Sequence, residues 1–104
     1  MVKHIILWTL KDEFSAEEKE QIKKGIKENL EALVGKVPGL VSMLIRTEYL
    51  PSSTVEVMLD STLEDEEALK GYRVHPAHVA AANTFVRPFT ATRACIDYEI
   101  PEGE

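Results

Sequence analysis

The chain has 104 residues, a length that suits one domain spanning residues 1–104. Its net charge of −6, from 18 acidic and 12 basic residues, argues against binding to nucleic acid or to an anionic membrane. The single cysteine excludes an internal disulfide framework, and the opening residues match neither a signal peptide nor a membrane helix. Together these features predict a cytoplasmic protein.

The first half of the chain predicts a strand, a helix and a hairpin. Residues 3–10 alternate as a strand, one face of which carries His4, Ile6, Trp8 and Leu10. A capping box at residues 15–18 begins a helix with an apolar stripe of Ile22, Ile26, Leu30 and Leu33. Residues 41–50 and 54–61 follow as two strands, which a turn at residues 51–53 joins into an antiparallel hairpin.

The second half predicts an interrupted helix and a final strand. Ser61 or Thr62 is expected to cap a helix that contains Leu63, Ala68, Leu69 and Tyr72. Pro76 disfavours helical backbone at His75 and suits the first position of a new helical segment, which ends near residue 88. Residues 90–100 form the last strand, and one of its faces carries Ala94, Ile96, Tyr98 and Ile100.

The predicted order β-α-β-β-α-β indicates an α+β, ferredoxin-like fold with both helices on one face of a four-stranded antiparallel sheet. Both sheet faces are expected to carry apolar residues, judged from Ile5, Leu7, Met43, Ile45, Val55 and Val57. A monomer rarely exposes so much contiguous apolar surface. We therefore expect a homodimer with its sheets face to face, a dimeric α/β barrel.

Residues 66–79 gather the side chains best suited to proton transfer, because they place Tyr72 and two histidines around Pro76. His78 is in helical register with a row expected to face the sheet, formed by Ala81, Ala82 and Phe85. In the functional interpretation His78 is a general base and Tyr72 donates a hydrogen bond to a carbonyl or enolate oxygen. In the alternative, both are core residues whose polar atoms bond to the backbone.

The sequence gives less support for a functional role of the other two histidines, His4 and His75. His4 shares a strand face with Ile6 and Trp8 and would approach His78 if that face meets the helices. The alternative for His4 is a histidine at a strand end, partly in water. His75 occupies an N-cap position, and its spacing from His78 is poor for zinc, so no metal site is predicted.

Three further polar residues carry only weak signals. Cys95, alone in mid-strand, is expected to be a small buried hydrophobic residue. Asn83 and Asp97 could orient a histidine, although capping or surface roles are commoner for these residue types. The chain contains no nucleophile elbow, phosphate-binding glycine loop or paired-carboxylate pattern.

Three stretches resemble the stress-responsive alpha/beta barrel domain (Dabb) family: residues 2–7 (VKHIIL), residues 69–79 (LKGYRVHPAHV) and residues 96–98 (IDY). The resemblance covers nearly the whole chain and implies a dimer of ferredoxin-like subunits with two sheets packed into a barrel. Some plant members are stress-associated proteins that form very stable oligomers. Another branch, similar to olivetolic acid cyclase, closes a linear polyketide thioester by intramolecular aldol condensation.

Carried onto this chain, the resemblance implies that His78 removes an α-proton and that Tyr72 holds the developing oxyanion, with no cofactor or metal. It also implies that His4 lines the pocket, whereas Ile22, Ile26 and Ala81 stand where the cyclase has bulky groups. With the residues expected from the pattern, the predicted pocket lining is His4, Ile6, Trp8, Ile22, Ile26, Ala81, Ala82 and Phe85.

The leading hypothesis is a homodimer with a small apolar pocket that binds a hydrophobic or carbonyl-bearing metabolite and performs cyclase-, isomerase- or lyase-like proton transfer. A second hypothesis is a non-catalytic stress-response protein that acts as a stable dimer. A third, left open by Trp8 and His78, is a cofactor-free monooxygenase or a haem-handling protein of the same fold.

Overall fold

The structure, a computed structural model, describes residues 1–101. Its strands are β1 (Val2–Leu10), β2 (Leu40–Arg46), β3 (Val57–Leu63) and β4 (Thr90–Glu99). Its helices are α1 (Ala16–Glu31), α2 (Glu66–Val74) and α3 (Pro76–Ala81), and a π-helical turn (Ala82–Val86) continues α3. The order of these elements confirms the predicted β-α-β-β-α-β arrangement. The predicted bounds of the hairpin are wrong, because β2 ends at Arg46 and β3 begins at Val57, so the predicted turn lies inside a longer connection of residues 47–56.

The sheet has the strand order β2-β3-β1-β4, and every neighbouring pair is antiparallel. Alternate residues of β1 are buried, beginning at Val2 and ending at Leu10. They form one core with apolar residues of the helices, including Ile26, Leu30 and Leu69. The helices therefore cover one face of the sheet, as the ferredoxin-like prediction requires.

Local capping signals determine where the helices begin. The predicted capping box before α1 is confirmed, because Glu18 N donates to Ser15 Oγ at 3.1 Å and Ser15 N donates to Glu18 Oε1 at 3.0 Å. The predicted break before Pro76 is confirmed as well. His75 is the N-cap of α3, and its Nδ1 accepts a hydrogen bond from Ala77 N at 3.1 Å.

The predicted start of α2 is wrong. Ser61 and Thr62 belong to β3, and the N-cap is Asp65, whose Oδ1 accepts from Ala68 N at 2.8 Å. The hydroxyl of Ser61 is already engaged, because it donates to the backbone oxygen of His4 at 2.8 Å. Pairing with β1 extends β3 to Leu63, and the N-cap lies three or four residues later than predicted.

The opposite face of the sheet is here called the open face. Its apolar residues are Ile5, Leu7, Leu44, Met58, Ala94, Ile96 and Tyr98, and its polar residues include Lys3, Arg46, Asp60 and Thr62. Ile96 is 59% exposed and Tyr98 43% exposed. Of the residues from which apolar character was predicted for both faces, Ile5 and Leu7 lie on the open face. Met43, Ile45 and Val57 point toward the helices, and Val55 precedes β3. Among residues 1–101, no helix is both long enough and apolar enough to cross a membrane.

Candidate functional site

Three elements bring Tyr72, His78 and His4 together beneath the helices. Tyr72 lies near the end of α2, His78 lies in the first turn of α3, and His4 lies on the central strand β1. The ring centroids of Tyr72 and His78 are 4.2 Å apart, and those of His4 and Tyr72 are 5.9 Å apart. Tyr72 is only 1% exposed and His4 only 2% exposed, so both are buried in the core, whereas His78 is half-buried.

The hydrogen bond of His78 determines which ring nitrogen is basic. Its Nδ1 lies 3.2 Å from the backbone oxygen of Arg73, which can only accept, so Nδ1 carries the proton and Nε2 carries the lone pair. Burial lowers the pKa of His78, and the nearby charges of Arg87 and Arg93 lower it further, against the opposing effect of the Arg73 carbonyl. His78 is therefore neutral near pH 7 and able to accept a proton at Nε2.

The hydroxyl of Tyr72 is buried and has no hydrogen-bond partner among residues 1–101. Burial also raises the pKa of Tyr72, so the phenol stays protonated and can only act as a neutral donor or acceptor. Leaving such a group unsatisfied costs about 1–3 kcal/mol. A bound molecule with an oxygen beside Tyr72 would recover this cost.

A cavity of about 110 Å³ adjoins Tyr72 and His78. Its wall is formed by Ile6, Trp8, Leu30, Leu59, Tyr72, His78, Ala82, Val86, Arg87, Thr90 and Arg93. An apolar wall with a few converging polar groups is the usual character of a small-molecule site. The volume is below the roughly 300–1,000 Å³ of pockets for drug-sized ligands, so the cavity suits a molecule of few atoms.

Half of the residues that sequence reasoning placed at the site lie in this wall, and half do not. Those in the wall are His78, Tyr72, Ile6, Trp8 and Ala82. Those outside it are His4, Ile22, Ile26, Ala81 and Phe85. His4 instead lies behind Tyr72, at an angle to its ring, while Ile26 and Ala81 pack within the core.

The π-helical turn explains why Phe85 is displaced from the wall. Arg87 N donates to Ala82 O at 2.9 Å, a bond that spans one residue more than an α-helical turn. The extra residue rotates Val86 into the inward position that regular spacing assigns to Phe85. Phe85 turns toward α1, where its Cδ1 would lie 3.3 Å from a Cβ built on Gly25.

His4 belongs to a second polar group, built across the pairing of β1 with β4. His4 lies opposite Asp97, and its Nδ1 donates a hydrogen bond to the Asp97 carboxylate. The other carboxylate oxygen accepts from Arg73 at 2.6 Å. Although burial alone raises the pKa of Asp97, its bonds to His4 and the Arg73 charge outweigh burial and hold that pKa below its ordinary value.

The same group could in principle hold a metal ion, because His4, Cys95 and Asp97 offer ligand atoms within 4.8 Å of one another. Nitrogen, sulfur and oxygen donors of this kind suit zinc. However, burial and the neighbouring charge of Asp97 raise the pKa of Cys95, which keeps the thiol protonated. His4, Asp97 and Arg73 already satisfy one another, so the cluster is described more simply as a hydrogen-bonded chain.

Cys95 was expected to be buried, but it is exposed. It lies on the edge strand β4, most of whose side chains are exposed on both faces of the sheet. Sequence reasoning also missed Arg87, Thr90 and Arg93 as wall residues. For Arg93 the sequence offered one signal, its alternation with Cys95 and Asp97 on one face of β4, whereas its position opposite Trp8 depends on the strand register.

The chain is similar in sequence and in fold to known proteins. Residues 2–100 match the sequence profile of the stress responsive A/B barrel domain. A dimeric protein of unknown function with a ferredoxin-like fold, from Bacteroides fragilis NCTC 9343, is 34% identical with a TM-score of 0.88, over 95% of each chain. No protein with a curated description matches the chain.

Two plant structures are also similar. A protein from Arabidopsis thaliana is 27% identical with a TM-score of 0.74, over 100% of this chain and 99% of that one. A hydroxynitrile lyase from Passiflora edulis is 18% identical with a TM-score of 0.75, over 99% of this chain and 95% of that one. The likeness to the lyase is one of fold alone.

Proposed function

The chain belongs to the stress responsive A/B barrel domain family, and on this premise we propose that its cavity binds a small carbonyl-bearing metabolite and catalyses cofactor-free proton transfer. The observation that carries this proposal is that one cavity wall holds both a neutral His78 and the buried Tyr72 hydroxyl, which has no hydrogen-bond partner within residues 1–101. A buried donor without an acceptor, next to a base, is the arrangement that an enolisable carbonyl compound would complete.

The proposed chemistry begins at the carbon next to the carbonyl group. Nε2 of His78 removes a proton from that carbon, and the imidazole becomes an imidazolium. The electron pair of the broken C–H bond forms an enolate, whose oxygen accepts a hydrogen bond from the Tyr72 hydroxyl. The enolate can then be reprotonated, attack a second carbonyl of the same molecule, or expel a leaving group. These outcomes correspond to isomerase, cyclase and lyase reactions.

The apolar part of the wall supports this chemistry by excluding water from the enolate. Ile6, Trp8 and Leu59 lie on the sheet side of the cavity and are nearly fully buried. In such surroundings a hydrogen bond from Tyr72 is stronger than it would be in water. The reaction draws only on residues of this chain, so the proposal includes no cofactor.

We further propose that the protein is a homodimer formed through its open face. Cross-strand neighbours Leu44, Asp60, Ile5 and Ile96 form a row across all four strands of this face. Asp60 is neutralised by Lys3 at 2.5 Å, so the row carries no unpaired charge. The Bacteroides fragilis relative is described as dimeric, which supports self-association here.

A second candidate function is a non-catalytic stress-response protein whose role depends on a stable dimer. One observation favours it, since His78 is bonded to a backbone carbonyl, as a purely structural histidine would be. The small volume of the cavity is also compatible with this alternative.

The test is ligand-induced change in melting temperature across small carbonyl compounds, acyl thioesters and aromatic metabolites. Each compound is run on the wild type, on His78→Ala and on His75→Asn, a control that keeps an N-cap acceptor and lies outside the cavity wall. Preferential binding to the folded state raises the melting temperature. We expect at least one compound to raise the melting temperature of the wild type and of His75→Asn but not that of His78→Ala. An equal rise in His78→Ala would argue against the proposal.

A further inference from the structure

Two arginines converge on the cavity from different elements. Arg87 directly follows the π-helical turn, and Arg93 lies on β4 opposite Trp8 of β1. Both belong to the cavity wall, together with His78. Both are also close enough to His78 for their charges to lower its pKa. Both arginines are exposed residues, so the cavity that holds the base has two cationic residues in its wall.

No carboxylate of the described residues, 1–101, forms an ion pair with either of these two positive charges. Among residues 1–101, neither arginine forms an ion pair, and Arg87 donates only to the amide oxygen of Asn83. By contrast, Arg73 is paired with Asp97. Within the described part of the chain, residues 1–101, the cavity wall contains no Asp or Glu, although the chain as a whole carries a net charge of −6. A local excess of positive charge in an acidic protein indicates an anionic ligand.

The arrangement matches one class of small molecule. Arginine forks are suited to carboxylates, which they bind through two parallel hydrogen bonds. A ligand with its carboxylate at Arg87 and Arg93 and its carbonyl oxygen at Tyr72 would place the intervening or adjacent carbon near His78. The cavity volume of about 110 Å³ limits the molecule to a short chain.

We propose that Arg87 and Arg93 form an anion subsite and that the substrate is a short oxo acid, a carbonyl compound with a carboxylate. This inference rests on the proposed function, because it assigns the substrate class of the same cavity. Neutralising the carboxylate also weakens its repulsion of the enolate that forms during proton transfer.

The test compares 2-oxobutyrate with its methyl ester, which keeps the ketone and the C3 methylene but lacks the charge. Dissociation constants are measured for the wild type, Arg87→Gln, Arg93→Gln and Lys24→Gln. Lys24→Gln removes one charge from an exposed position on α1, outside the cavity wall. Matching melting temperatures without ligand establish that the variants fold equally.

The inference predicts that the wild type binds the acid about tenfold or more tightly than the ester, since a charge-assisted hydrogen bond contributes that much. Each arginine substitution should weaken acid binding about tenfold and leave ester binding unchanged, while Lys24→Gln alters neither. Equal affinity for acid and ester, or acid binding unchanged by both arginine substitutions, would overturn the subsite. Inorganic phosphate that binds more tightly than the acid, with the same arginine dependence, would overturn the choice of carboxylate.

Deuterium exchange at C3 of the two probes separates this inference from the proposed function. One outcome is that exchange depends on His78 but is equally fast for the acid and the ester and does not change when either arginine is replaced. This outcome would refute the subsite and leave the proposed proton transfer intact. Arginine-dependent binding of the acid with no exchange of either probe refutes the proton transfer alone.

Discussion

The imidazole of His78 lies against the phenol ring of Tyr72, with ring centroids 4.2 Å apart and ring planes inclined by 33°. This contact joins α2 to α3 across the break at Pro76. It places a neutral base beside a buried hydroxyl that has no hydrogen-bond partner among residues 1–101. Either residue alone is common in a protein core, but at this cavity the two together provide a base and a hydrogen-bond donor.

Replacing Tyr72 with Phe separates catalysis from stability. Because no group of the described residues, 1–101, bonds to the hydroxyl, we expect its removal to leave the free energy of unfolding unchanged or to raise it by about 1 kcal/mol. Loss of the oxyanion donor should slow C3 exchange about 100-fold. Urea unfolding and exchange kinetics measure the two effects. A clear loss of stability in Tyr72→Phe would mean that the hydroxyl has a structural partner.

The pH dependence should reflect the lowered pKa of His78. Since Nε2 must be unprotonated, the exchange rate should stay constant from pH 8 to pH 7 and fall only below a pKa that lies under the ordinary 6.5. An NMR titration of the imidazole and a pH–rate profile should give the same midpoint. Titration at or above 6.5 would contradict the proposed environment of His78.

The free energy of unfolding should also depend on the protonation of His78, and it should fall as the pH is lowered. Between pH 6.5 and the lower pKa of the folded state, the unfolded chain binds a proton that the folded chain does not. The contribution of neutral His78 to stability is therefore complete above pH 6.5 and is lost progressively as the pH falls through this window. His78→Asn should remove that part of the pH dependence of unfolding.

The bonds of Asp97 to His4 and Arg73 can be tested with Asp97→Asn. Asparagine keeps an acceptor for His4 but loses the charge that strengthens both hydrogen bonds. We therefore expect the free energy of unfolding to fall by about 1 kcal/mol. Glu99→Gln is the matched control, because it removes an exposed carboxylate on the same strand. Equal urea midpoints for the two variants would show that the Asp97 bonds contribute nothing measurable.

Local signals predicted much of the fold, because they act through neighbouring residues. The capping box at Ser15 and the His75–Pro76 break both depend on contacts within a few positions. The start of α2 did not follow from such signals, since pairing with β1 holds Ser61 in a strand. Tertiary pairing outweighed a plausible local cap.

The candidate site was harder to predict, because the helical register and the pairing register of the strands determine which of its residues come together. His78 and Tyr72 were apparent from their residue types, but the π-helical turn replaces Phe85 with Val86 by inserting one residue. Arg93 reaches the cavity only because β4 pairs with β1 so that it lies opposite Trp8. Neither the inserted residue nor this register follows from periodicity.

The proposed dimer predicts the effect of a charge on the open face. Leu7→Asp would place an unpaired carboxylate in the interface, and we expect a monomer in sedimentation experiments at a concentration where the wild type is a dimer. Val34→Asp is the control, since Val34 is exposed but lies outside the sheet. A stable dimer of the Leu7→Asp variant would exclude this face as the interface.

The most direct measurement of the central claim is deuterium incorporation at C3 of 2-oxobutyrate and of its methyl ester, followed by proton NMR at pH 7. Wild type, His78→Ala and the His75→Asn control are compared at equal concentrations of folded protein. We expect that the wild type and His75→Asn accelerate exchange of at least one probe, and that His78→Ala slows it about 100-fold or more. Exchange at the uncatalysed rate in the wild type, or equal acceleration by His78→Ala, would contradict the assignment of His78 as the base.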